Sequence, residues 1–188
     1  MSDPELTVDL LSAEHLDAWL ADHPDAGDAW LVRWKKGRGP YVGNEDLVCV
    51  LLAHGWIDGR AGSLDDDRWR TLISPRRPGS GWSRINKDRV ERLLAEGRMR
   101  PAGLAAVERA KADGSWSHLD AAESLAEPAD LAEALDAVPA ARAGWDGFPP
   151  SARKVMLQWV TTAKRAETRE RRVRRVVDEA AEGRRAQP

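Results

Sequence analysis

Between residues 54 and 86 the chain collects side chains able to bind or transform a ligand: His54, Trp56, Asp58, Arg60, Arg76, Arg77, Trp82, Ser83 and Asn86, spaced by glycine and proline. A stretch this polar and this often broken is a poor core strand or helix. Loops built from Arg, Trp, Ser and Asn instead tend to line sites. Arg76 and Arg77 stand between Pro75 and Pro78, which restrict the backbone and lower the entropy lost on binding. Guanidinium forks take carboxylate or phosphate in bidentate fashion, and an indole stacks on a flat ligand or on arginine. Ser80, Ser83 and Asn86 add neutral donors near a helix start, where exposed N–H groups favour anions. These residues predict a pocket for an anionic or aromatic small molecule. The architectural alternative is that Arg76 or Arg77 pairs with Asp58, Asp65 or Asp67 and only pins the loop.

Other chemistries find less support. Ser80 or Ser83 with His54 and Asp58 would make a hydrolytic triad, but neither serine lies in a Gly-x-Ser-x-Gly elbow. An enzyme of unassigned reaction stays open as a further reading. His15, His23, His54 and His118 lack metal-ligand spacing, and Asp65-Asp66-Asp67 lacks the Gly and distal Glu of a calcium loop, so it reads as a solvated turn. Gly37-Arg38-Gly39-Pro40 has no following Gly-Lys-Ser/Thr, and its proline removes a donor that a phosphate cradle needs. Cys49 is the single cysteine, which excludes an intrachain disulfide and a cysteine metal cluster. No metal and no cofactor are expected.

Charge is uneven although the formal net charge is only −2. Residues 1–30 hold eight acids and no Lys or Arg, 68–100 hold ten basic and three acidic residues, 101–150 sum to −6 and 151–188 to +6. Two basic blocks around an acidic one mean internal complementarity or a local electropositive face. Arg165, Arg169, Arg172 and Arg175 on the C-terminal helix carry the second possibility, a nucleic-acid-binding accessory protein. The acidic N-terminus without an apolar signal core, and the lack of a long apolar run, point to a cytoplasmic protein with no membrane span.

The elements that must position these residues follow from periodicity. Ser12 caps a helix ending before Pro24; Ala29–Lys35 is a strand; Asn44 caps a helix over Glu45–His54, stopped by Gly55. Trp56–Asp58 and Trp69–Ile73 read as short strands around a loop at Gly62–Asp67. All strand is expected within 29–82, and helix and loop after Ser83. The fold class is α+β: a small mixed or antiparallel sheet with packed helices, then an all-helical C-terminal module. We expect residues 1–119 as the domain bearing the pocket, 120–150 as a linker with a short helix near Pro128–Ala137, and 151–188 as a basic helical module with Ser151 as its N-cap. Trp30, Trp56 and Trp159 are expected in the core, and Trp82 beside a cavity shared with Arg76.

Gly55-Trp56-Ile57-Asp58-Gly59, Ser74-Pro75-Arg76-Arg77-Pro78, Ser80-Gly81-Trp82-Ser83, Asn86, Arg89-Val90-Glu91 and Gly97–Gly103 resemble the YdeI/OmpD-associated, or bacteriocin-protection, family. Ala163–Arg169 with Arg172 resembles that family's second block, with Ala166 where proline is usual, so the resemblance runs from about Trp19 to Gly183. It implies a role in stress or antimicrobial protection. The leading expectation is therefore a cytosolic protection protein that binds an anionic or aromatic small molecule.

Overall fold

Helices form where a cap meets an apolar period, and the first of them does both. Residues 4–186 are described by a computed structural model. Ser12 Oγ accepts the His15 N–H at 3.1 Å, and α1 (Ala13–Asp22) buries Leu16 and Leu20. Helix α2 (Asn44–Ala53) is apolar on nearly every side from Leu47 to Ala53, as a helix enclosed by its own domain must be. Its N-cap is Gly43 rather than Asn44, whose side chain instead accepts a bond from Arg33.

The sheet has the order β1-β2-β4-β3, from β1 (Thr7–Asp9), β2 (Ala29–Trp34), β3 (Trp56–Ser63) and β4 (Arg68–Pro75). The three longer strands pair antiparallel with one another, and β1 runs parallel to β2. The presence of β1 corrects the expectation that strand is confined to 29–82. Three residues with one buried side chain, Val8, carry too little periodicity to be read, and their pairing with β2 is what makes them a strand. Asp65 closes the β3–β4 hairpin by accepting the Asp67 and Arg68 N–H groups and the Arg68 side chain, so the acidic triplet is a turn. The core of this unit joins Leu10, Leu16, Leu31, Leu47, Leu51, Trp56 and Ile73.

Two further helices complete the first unit: α3 (Arg84–Ala95) and α4 (Pro101–Ala112). Glu45 in the first turn of α2 receives Arg89 at 2.5 Å and Arg92 at 2.7 Å from α3. Helix α4 meets the end of α2 with no gap, because a Cβ on Gly103 would stand 2.1 Å from the Ala53 carbonyl oxygen.

The chain divides into two compact units, one of residues up to 80 with 85–116, the other of residues 81–84 with those from 117 on. The second unit is helical: α5 (Asp120–Glu123), α6 (Ala129–Asp136), α7 (Pro139–Asp146), α8 (Pro150–Thr161) and α9 (Ala166–Ala181). Residues 120–150, expected as a linker, supply Leu131, Leu135, Ala141 and Trp145 to its core beside Met156, Val160 and Val176. Their Ala-, Glu- and Pro-rich composition hid short helices that earn burial only together. Glu127 binds Arg142 through both oxygens and accepts the Trp145 indole N–H at 2.7 Å. Pro149, not Ser151, is the N-cap of α8. Trp159 is only partly buried, with Arg172 and Arg175 over its ring, because it lies at the border of the α8 apolar stripe.

Candidate functional site

The α2–β3 junction turns on Gly55, whose φ of +75° favours glycine and whose Cβ would stand 2.9 Å from the Ala102 carbonyl. That turn places His54 and Trp56 on either side of it, and the Arg76 N–H reaches the Gly55 carbonyl at 2.9 Å. A cavity of about 600 Å³ opens there. Leu20, Pro24, Trp56, Pro75 and Pro101 give it apolar walls; His54, Arg76, Arg100 and Arg109 give it its polar groups.

Each polar group is held. Arg76 is 5% exposed, and burial lowers its ordinary value to about 10, with the charge of Asp58 acting the other way. Arg109 reaches the Arg76 carbonyl at 3.3 Å. His54 Nε2 lies 2.8 Å from Asp17 Oδ1, and Asp17 also receives Arg100 at 2.5 Å. Helix α4 starts at the cavity with Pro101 as its first residue and no side-chain cap, so its early N–H groups and its positive dipole end lie at the wall formed by Pro101, Ala102 and Ala105. Three guanidiniums, an imidazole and a helix N-terminus, set against the carboxylates of Asp17 and Asp58, make this a donor-rich hollow with a partly apolar lining. Such a hollow fits a ligand with an anionic group on an apolar body.

The structure brings together His54, Trp56 and Arg76, with Asp58 close by, and separates the others. Arg60 lies over the Trp30 ring at 5.1 Å, as does Arg70 at 4.3 Å, beside a smaller hollow of about 210 Å³. Arg77 points outward to Asp28 at 3.2 Å, and Asn86 accepts a bond from Arg89. Trp82 is 1% exposed and belongs with Ser83 to the second unit; it is not among the cavity's lining residues and serves packing. His54 takes Asp17, not Asp58, as its carboxylate, so the triad of His54, Asp58 and a serine is not formed. Asp17, Arg100 and Arg109 were missed. Asp17 and Arg100 are 83 residues apart, and an Asp inside an amphipathic helix reads as solvated face. The one available signal was Arg100-Pro101, a cation at a proline-initiated helix start.

On α9, Arg169 grips Asp130 at 2.6 and 2.8 Å, while Arg172 donates to the Trp159 carbonyl and, with Arg175, covers the Trp159 ring. Arg165 is the N-cap residue of α9. Among the described residues no group of three or more His, Cys, Asp or Glu side chains is placed to hold a metal ion, and no helix is long and apolar enough to cross a membrane.

Fold and site together define an α+β unit with an arginine-lined hollow, joined in one chain to an all-helical unit. The chain belongs to the family of a domain of unknown function (DUF8412), whose model matches residues 8–106, and over residues 124–183 it matches the family described as Bacteriocin-protection, YdeI or OmpD-Associated. The resemblance read from Ala163–Arg169 lies inside the second match, whereas the motifs between Gly55 and Gly103 lie in the first. No curated protein and no solved structure matches the chain.

Proposed function

We propose that the chain is a cytoplasmic binding protein for a small carboxylate or similar oxyanion carried on an apolar, preferably aromatic, body, and that binding serves antimicrobial protection. The observation that carries this reading is the burial of the Arg76 guanidinium at a cavity wall beside Trp56, with Arg100, Arg109 and the start of α4 around it. A buried cation is costly to a fold that has no use for it. The link to protection rests on the family description of residues 124–183.

Benzoate and its neutral isostere benzamide separate charge from shape. Calorimetric titration of the purified protein is expected to show benzoate binding and no benzamide binding, and Arg76→Met is expected to abolish the former. Equal binding of both would contradict an anion site. Protection of cells against a bacteriocin by the unmodified chain, lost in Arg76→Met, would tie the cavity to the biological role. The nucleic-acid reading has less support, since Arg169, Arg172 and Arg175 are occupied in holding the second unit together.

A further inference from the structure

His54 meets the cavity with one ring nitrogen already engaged. A carboxylate only accepts hydrogen bonds, so the 2.8 Å contact between Nε2 and Asp17 Oδ1 places the proton of the neutral ring on Nε2 and leaves a lone pair on Nδ1. Asp17 cannot easily turn away, because Arg100 donates to both its oxygens, at 3.3 and 2.5 Å. Burial would raise the Asp17 carboxyl, but the bonds from Arg100 and His54 outweigh that and hold it below the usual carboxylate range. At neutral pH an anion therefore stands on one side of a ring that is 7% exposed. The other ionisable groups around the hollow are Arg100 before α4, Arg109 on α4 and Arg76 after β4, with Asp58 of β3 acting on Arg76.

These charges oppose one another while the cavity holds no anion. Three guanidiniums stand against the carboxylates of Asp17 and Asp58. A bound oxyanion changes that balance: it adds a second negative charge near the ring, and it is repelled by a lone pair on Nδ1 but attracted by an N–H there. We infer that the cavity takes up its anion together with one proton from solvent, which goes to Nδ1 of His54, while Asp17 is the positioning residue that fixes the ring's tautomer. The ligand class is thereby narrowed to oxyanions that stay ionised while the imidazole is protonated, carboxylates being the simplest. This inference rests on the anion-binding reading above.

The test is calorimetric titration of the full chain with benzoate, in buffers of different ionisation enthalpy, between about pH 6 and pH 8.5. The expected result on the unmodified protein is uptake of up to one proton per benzoate, with affinity falling by up to about tenfold per pH unit as the ring loses its proton. In His54→Gln the proton uptake and the pH slope are expected to vanish. Asp17→Asn, which keeps a hydrogen-bond acceptor but removes the charge, is expected to move the fall in affinity to lower pH. Benzoate binding with no proton uptake and no pH slope in the unmodified chain would overturn the inference and leave anion binding standing. No benzoate binding at any pH would overturn both.

Discussion

Arg76 is the residue on which site and scaffold part company. Burial disfavours its charge, and replacing a buried ion by an apolar side chain of similar volume is often neutral for stability. Arg76→Met is therefore expected to keep the melting temperature close to that of the unmodified protein while weakening benzoate by about tenfold or more, the scale of a lost charge-assisted hydrogen bond. A stability loss of about 3 kcal/mol with benzoate binding intact would make the residue architectural, as the partner of Asp58. Arg77→Ala is the matched control: its side chain pairs with Asp28 on the surface, and calorimetry is expected to give unchanged affinity. The two arginines are neighbours in a Pro-Arg-Arg-Pro segment and equivalent by type, so the sequence could mark the pair but not say which of them turns inward. In the fold the Arg76 N–H bonds the Gly55 carbonyl at the cavity, and Arg77 turns to Asp28.

Close approach within each unit and a charge clamp in the first hold the elements together, and each gives a prediction. Gly103 of α4 faces the Ala53 carbonyl, and Gly144 of α7 faces the Ala180 carbonyl of α9, where Cβ atoms would stand 2.1 and 2.0 Å from backbone oxygen. Neither neighbour is a flexible side chain, so Gly103→Ala or Gly144→Ala is expected to cost about 1–3 kcal/mol in denaturant unfolding. Gly103→Ala should in addition impair benzoate binding, because it displaces α4 from the cavity wall; unchanged melting would refute the packing described. The α2–α3 clamp is pH-dependent. Bonds from Arg89 and Arg92 lower the Glu45 carboxyl from 4.5 to about 2. A depressed folded-state value means that the contribution is fully present above the unfolded value of 4.5 and is lost as pH falls through about 2. Melting of the unmodified chain is therefore expected to fall more steeply between these values than melting of Glu45→Gln. Most of these elements were legible. The Ser12 cap, the apolar α2 run and the hairpin around Asp65–Asp67 carry strong local signals, and the hairpin brought Trp56, Asp58 and Arg76 within reach of inference. Asp17, Arg100 and Arg109 were not legible, because where they come to lie is set by how α1 and α4 each pack on α2, which no local period encodes. Trp82 misled for the complementary reason: an indole among Ser and Gly looks like a site residue, but its burial is a property of the folded unit.

For the molecule as a whole, the uneven charge resolves in large part into structure. In the first unit, basic residues from 68–100 meet acids, as in Arg89 and Arg92 with Glu45 and Arg100 with Asp17. In the second, Arg142 meets Glu127 and Arg169 meets Asp130. Arg169→Gln is accordingly expected to lower the melting temperature, and the unmodified chain is expected to show no steeply salt-dependent affinity for a labelled oligonucleotide. A steep salt slope would restore the nucleic-acid reading. The central claim, that the hollow of the first unit is an anion-binding site, is tested most directly by titrating benzoate into the isotopically labelled protein and following the amide and indole N–H resonances. The account predicts shifts confined to the walls of the hollow: the backbone of His54, Gly55 and Arg76, the first turn of α4, and the Trp56 indole. No shift at benzoate concentrations well into the millimolar range, or shifts centred on α9, would contradict it.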